Sequence, residues 1–433
     1  MFYINNAKIF NFINYFTLAC IVPIGYFAPM GMWLITTLIA LTNIVDCFVK
    51  KKFFRLNNIL ISILGISIVI SSFFWSINSE RTLEVIGPIS GIFLAIYIII
   101  NINSKNHIIK IENIIGFPLI LTSICILLDI ILNTEIRSAL ATMAGDAPTS
   151  ESANFSRGII IITMLMPFIV ALCIHKNKKI MAISIFILVS SIILLGPNGS
   201  SKIAFFCVII SSIIIYFLGP KAFLYFGIVS YIFILFLPII STNIAPKIGQ
   251  INKKITIIKP YIEGRKDSDL WTQIGNTNYA TRKYLWQESP VGGSIIHRLL
   301  IWEYVGKKIH EKLFLGHGAG TSRLIGQNII LNIPNSKEII KGAIPLHPHN
   351  NFLEIWLELG LLGIIFISLL WIKIIRFGIK IRKKSYVLGT GVCASIISMF
   401  IISNLSFGVF QAWWMASIGL IFLLFFRSTE EEY

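Results

Sequence analysis

Charge is what this chain has least of. Only 13% of its 433 residues are Asp, Glu, Lys or Arg, against 55% apolar, and mean hydropathy is +0.80. A soluble domain carries about a quarter charged residues, so a water-soluble globular fold is excluded. Cysteine is also scarce. The residues Cys20, Cys47, Cys125, Cys173, Cys207 and Cys393 all fall inside apolar runs and none in the long polar loop, so they read as buried small hydrophobes and imply no disulfide. No small-residue cleavage site follows the first apolar run, so a removable leader is not expected. No aromatic–basic motif accompanies the net charge of +17, which argues against nucleic acid and leaves membrane-flanking charge. No internal repeat or matched pair of broken helices is visible, which weakens a transporter reading.

What is there is a series of apolar runs, each near the ~20 residues a spanning helix needs. The expected fold is an all-α polytopic membrane protein with about twelve spans. In order these are Ile9–Tyr26, Met30–Val49, Asn58–Ile77, Val85–Ile102, Ile114–Leu132, Gly158–Ile174, Ile180–Leu195, Ile203–Leu218, Ala222–Ile240, Asn351–Ile375, Val387–Ile402 and Gly408–Phe425. An even number puts both termini on one side. The basic turns at Lys50, Lys105, Lys176, Lys221 and Arg376 then share that side, which is the cytoplasm. The loop from Asn133 to Ser156, with no lysine and Arg137 as its one arginine, falls outside, as does the long loop from Ser241 to His349. Residues 1–240 are thus spans one to nine, 241–350 a large, partly helical outer loop, and 351–433 the last three spans with a short tail.

Some cations defy the charge rule. Arg157 and Lys202 each sit on the outer side at the start of a span, and the long loop holds 15 Lys and Arg against 7 acids. A long loop translocates regardless of its charge, so topology survives. A basic outer loop against a membrane fits either an anionic ligand such as a pyrophosphate or anionic lipid headgroups. Within the loop, His297 to Lys312 reads as a helix, with Ile301, Val305 and Ile309 at i, i+4, i+8. Arg298 and Trp302 lie beside that stripe, so Arg298 either snorkels to water or faces an anion. Gly316-His-Gly-Ala-Gly-Thr-Ser-Arg323 follows. Its spaced glycines suit either a nest of backbone N–H groups for an anion or a turn that closes the preceding helix.

The densest set of ionisable groups lies in Leu346-His-Pro-His-Asn-Asn-Phe-Leu-Glu-Ile-Trp-Leu-Glu-Leu-Gly-Leu-Leu-Gly363, where the loop meets the tenth span. Ionisable groups there are costly unless something requires them. Pro345 and Pro348 predict extended backbone, with His347 and His349 on roughly the same side. Asn350 or Asn351 can cap the helix, and Asn351 with Glu354 fits a capping-box variant. Glu358 reads as a partner for a neighbouring cation. Three histidines, His317, His347 and His349, with nearby carboxylates are a possible zinc set, but their spacing matches no common zinc motif. A histidine acting as general base at the outer face is the more economical reading.

His349-Asn350, nine residues, then Gly360-Leu-Leu-Gly363 resembles the histidine–glycine signature of bacterial O-antigen ligases. Arg298 with Trp302 and the Gly316-His-Gly-Ala-Gly turn resemble the preceding block of the same superfamily, which also holds O-antigen polymerases. Asn154-Phe-Ser-Arg157-Gly resembles the arginine block that opens a middle span, whereas Ser201-Lys202 stands where many members carry Ser-Arg.

The resemblance implies a glycosyltransferase C-type fold in the bacterial inner membrane, multi-pass, with its active site on the periplasmic face. It implies transfer of polysaccharide from undecaprenyl pyrophosphate to a sugar hydroxyl of the lipid A-core, without metal or cofactor. On that reading Arg157, Arg298 and Lys202 hold the donor pyrophosphate, His349 is the base beside Arg298, and His347, Asn350, Glu354 and His317 support them. The implied partners are the undecaprenyl-linked O-antigen, the lipid A-core oligosaccharide and membrane lipids, with no nucleic acid. An O-antigen polymerase with a lipid-linked acceptor is the alternative, and a lipid or polysaccharide transporter the more distant one.

Overall fold

The computed structural model describes residues 12–49, 59–101, 110–132, 136, 139, 151–243, 292–327, 330–332, 339–341, 343–344 and 346–430. Its helices are α1 (Ile21–Phe27), α2 (Met32–Val49), α3 (Ile59–Ser71), α4 (Ser79–Asn101), α5 (Ile111–Ile131), α6 (Glu151–His175), α7 (Lys179–Leu195), α8 (Gly199–Leu218), α9 (Pro220–Asn243), α10 (Gly292–Glu311), α11 (Ser322–Ile325), α12 (Asn351–Lys384), α13 (Tyr386–Ser403) and α14 (Ala412–Glu430). Among the described residues, nine helices are long and apolar enough to cross a membrane, and α3 with its 3₁₀ extension and α7 are shorter apolar helices. The protein is a polytopic helical membrane protein. The first expected span lies partly outside the described residues, as do most of the Asn133–Ser156 loop and residues 244–291.

Several expected boundaries move. Arg157 lies within α6 and not ahead of it, because that helix starts at Glu151. Helix α12 continues through the expected basic turn to Lys384. The last helix starts at Ala412, which leaves Gly408 in the segment before it. The fold is not all-α throughout: in the long loop, expected to be partly helical, Ile330–Asn332 and Ile339–Lys341 pair as two short antiparallel strands.

Helix α6 is the centre of the bundle, buried along most of its Ser156–His175 stretch. It packs against α1, α7, α8 and α13. Apolar lipid gives no hydrophobic drive between helices, so small residues must let them approach closely. At Gly391 a Cβ would stand 2.3 Å from Ala171 Cβ and 2.6 Å from the Pro167 carbonyl, which fixes how near α13 lies to α6.

Prolines inside helices free carbonyls that lipid cannot satisfy. Pro167 frees the Thr163 carbonyl, which accepts from Ser398 Oγ at 3.5 Å, and the Phe168 N–H donates to Ser395 Oγ at 3.1 Å. Pro238 frees the Ile234 carbonyl, which accepts from Trp356 Nε1 at 3.0 Å. These bonds tie α6 to α13 and α9 to α12, the helices that frame the histidine segment.

Candidate functional site

Helix α12 begins at a polar cap. The Asn350 Oδ1 accepts from the N–H groups of Phe352 (3.0 Å) and Leu353 (3.1 Å), satisfying donors that the first helical turn leaves open. The expected capping box does not form. Glu354 turns away from the cap, and its Oε2 accepts from the Val409 N–H at 2.5 Å. Asn351 also faces the segment that joins α13 to α14: its amide donates to the Phe407 carbonyl and accepts from Trp414 Nε1 at 2.7 Å. Asn350 Nδ2 donates to Asn404 Oδ1 at 3.2 Å.

The histidines ahead of that cap are paired by a turn and not by extended backbone. His349 has φ of +56°, a left-handed conformation that costs a residue other than glycine about 1–3 kcal/mol. The turn lets the His349 N–H donate to His347 Nδ1 at 3.1 Å, and it brings the two ring centroids to 4.5 Å. His349 Nδ1 lies 2.8 Å from the Ser406 carbonyl. A carbonyl only accepts, so Nδ1 carries the proton and Nε2 holds the lone pair of the neutral ring. By the same logic His347, which accepts at Nδ1, is protonated at Nε2.

Cations surround this pair. Burial first, then His349 whenever it is protonated and the charges of Arg157, Arg298 and Arg323, push the His347 ring down to about 3, so it is neutral at physiological pH. Arg157, on α6, stacks its guanidinium 5.3 Å from the centre of the Trp413 ring. Arg298 is half-buried on α10, and burial pulls its guanidinium below the ordinary arginine range. An arginine there stays charged, so it is a cation held where water solvates it poorly. The α10 stripe is buried as expected, with Ile301, Val305 and Ile309 at 0% exposure. Trp302 carries α10 to the histidines by donating its Nε1 to the Pro348 carbonyl at 3.0 Å.

The glycine segment forms a nest, and the protein's own carboxylate fills it. Gly360 inside α12 has φ +57° and ψ −149°, which breaks the helix. The carbonyls of Leu357 and Glu358 then accept from the N–H groups of His317 and Gly318, both at 2.9 Å. The Glu358 side chain accepts from the N–H of Gly320 and, at 2.9 Å, from that of Ser322. Glu358 therefore answers backbone donors first, and the charge of Arg81 on α4 is the neighbouring cation that also acts on it. His317 stands apart from the other histidines: its Nε2–H donates to the Lys308 carbonyl at 3.0 Å, closing the end of α10. Burial pulls this ring below its usual value too. Among the described residues no three His, Cys, Asp or Glu side chains are grouped as a metal site requires.

The structure thus brings Arg157, Arg298, His347, His349 and Asn350 together and places Glu354 behind them. Lys202 sits in the first turn of α8, and its charge is not among those acting on His347. Two features escaped sequence reading. Arg323, exposed on α11, ends the glycine motif, and no spacing in the sequence links it to the histidines. The Asn404–Gln411 connector left a visible signal, a polar and glycine break between two apolar spans, but no spacing links it to His349.

Residues 185–368 match the protein family described as O-antigen ligase. A "Putative polysaccharide ligase" of Rickettsia conorii is 36% identical over 126 residues, 29% of this chain and 29% of the relative. One of Rickettsia felis is 36% identical over 129 residues, 29% of this chain and 30% of the relative. One of Rickettsia bellii is 29% identical over 289 residues, 63% of this chain and 59% of the relative. The matched stretches cover less than two thirds of the length of each of these relatives. Residues 185–368, from α7 into α12, are thus what this chain has in common with the O-antigen ligase family.

Proposed function

We propose that this protein is a membrane glycosyltransferase that moves a polysaccharide from undecaprenyl pyrophosphate to a sugar hydroxyl of a lipid A-core acceptor, at the periplasmic face of the inner membrane. The carrying observation is a histidine in the base-competent tautomer, His349, set among arginines on three separate elements. The acceptor hydroxyl gives its proton to His349 Nε2 as its oxygen attacks the anomeric carbon of the donor. The bond from that carbon to the pyrophosphate oxygen breaks, and negative charge grows on the leaving group. Arg157 and Arg298 meet that charge, and their poor hydration makes the contact stronger than in water. His347, neutral and bonded to the His349 backbone, orients the base.

The test is reconstituted transfer with a defined lipid-linked glycan donor and core acceptor, with and without chelator. Wild type transfers, while His349→Ala and Arg298→Ala do not. Full activity in purified His349→Ala protein removes the base assignment. Activity lost to chelator and restored by a divalent cation brings a metal into the chemistry. A polymerase instead extends a second lipid-linked glycan, so offering each acceptor separately decides between the two transfers.

A further inference from the structure

We infer that the Asn404–Gln411 connector, clamped by Glu354 and fitted by Gly408, sets the tautomer and aim of His349, so that Glu354 and Gly408 are positioning residues for the transfer. This rests on the reading of His349 as the base. The link is the Ser406 carbonyl, 2.8 Å from His349 Nδ1. A neutral imidazole has two tautomers, and a hydrogen bond at one nitrogen chooses between them. Without that carbonyl nothing in this contact keeps the proton on Nδ1 and the lone pair on Nε2.

The carbonyl is useful only if it is held, and the connector is held from several directions. The Glu354 carboxylate takes the Val409 N–H at 2.5 Å. Asn350 reaches Asn404 Oδ1 at 3.2 Å, and Asn351 bridges the Phe407 carbonyl and Trp414. Gly408 lies wedged between the acid and the histidine loop: a Cβ there would stand 2.9 Å from both Glu354 oxygens and 3.0 Å from His347 Cβ. A side chain at position 408 therefore moves either the carboxylate or the histidine loop.

A cap alone does not account for Glu354. Asn350 already accepts the open N–H groups of α12, and Glu354 is buried to 4% exposure. A buried carboxylate is costly, and the contact that Glu354 makes in return is the Val409 N–H of the connector. The charged and titratable groups around the histidine pair are His347, Arg157 on α6, Arg298 on α10, Arg323 on α11 and Glu354 on α12. The connector lies outside the matched residues 185–368.

The experiment measures the pH dependence of transfer by purified wild type, Glu354→Gln, Gly408→Ala and His349→Ala in bilayers, with thermal melts on the same preparations. Glu354→Gln is expected to lose roughly tenfold to a hundredfold in kcat, as outer-shell partners do, with KM for donor and acceptor nearly unchanged. The acid limb of its rate profile moves to lower pH, since a carbonyl acceptor stabilises an imidazolium more than a neutral ring. Gly408→Ala keeps the ionisable carboxylate and shows the same displacement. Wild-type kcat in Glu354→Gln, or rates that fall only with the folded fraction while the limb stays in place, overturns the inference. His349→Ala separates the two levels: if it is inactive while the limb is unmoved in both variants, the base stands and only the positioning role falls. If His349→Ala is fully active, the base reading itself fails.

Discussion

The Glu358 carboxylate accepts the backbone N–H of Ser322 at 2.9 Å. This bond pins α11 and the glycine loop against the break in α12, so loop and membrane helix are built as one piece. The break itself is tight. Gly360 has a φ of +57°, and a Cβ there would lie 2.6 Å from the Phe314 carbonyl and 2.6 Å from the Gly316 nitrogen. Gly360→Ala combines left-handed strain with overpacking, each of about 1–3 kcal/mol. We expect a destabilisation of about 2–5 kcal/mol, read as a lower melting temperature in detergent and less protein in the membrane. An unchanged melt would mean that the loop gives way, and that Glu358 does not lock it.

How much of this was visible in the sequence follows from what each feature depends on. Spans are legible because lipid demands long apolar runs, and the α10 stripe because helical periodicity is local. The histidine–glycine spacing marks His349 and Gly360 only through its resemblance to O-antigen ligases. Contacts across the fold were not legible. The spaced glycines of Gly316–Arg323 suit a nest or a helix-closing turn, and nothing local chooses between them, because the occupant, Glu358, lies 36 residues from Ser322. His349 meets Ser406 over a separation of 57 residues, and no periodicity encodes that pairing. Extended backbone at His349 was a fair reading of Pro348, yet the bond from the His349 N–H to His347 Nδ1 requires a turn there.

His347 carries a pH dependence of its own. Its ring is held down to about 3, mainly by burial, while an unfolded histidine titrates near 6.5. At intermediate pH the unfolded chain binds more protons, so stability rises with pH through this window. The contribution is complete above about 6.5 and declines as pH falls toward the folded-state value. Histidine 317, shifted in the same direction, adds to the slope. His347→Gln, whose amide oxygen can still accept the His349 N–H, is expected to flatten the acid side of a melt-versus-pH curve. It is also expected to weaken transfer less than His349→Ala does. A curve as steep as wild type would show that His347 is not the group responsible.

Arg323 acts on His347 together with Arg157 and Arg298, but it is exposed. Its helix is fixed by Glu358 at Ser322 and by the Tyr304 hydroxyl, which donates to the Ile325 carbonyl at 3.0 Å. A fixed cation at the rim contributes to anion binding while water screens part of its effect. Arg323→Ala is therefore expected to lose about tenfold in transfer efficiency, on the order of 1.5 kcal/mol for a charged hydrogen bond. The loss should be larger at low ionic strength. A salt-independent loss would argue for a structural role.

Lys202 supplies the sharpest contrast with Arg157. The Asn198 cap of α8 accepts from the Ser201 N–H at 3.0 Å, and its amide lies 3.4 Å from the Ser156 carbonyl. That contact sets the start of α8 beside Arg157, so both cations stand at the same end of the bundle. Only Arg157 bears on His347, and it is stacked on Trp413 while Lys202 has a flexible stem. Arginine also offers a planar, two-point contact to phosphate where lysine offers a point charge. Arg157→Ala should cost on the order of a hundredfold in kcat, as removal of a transition-state donor does, whereas Lys202→Ala should keep most of the rate and raise the KM for donor modestly. Equal losses in the two variants would return Lys202 to the anion site and require α8 to move toward the histidines when donor binds.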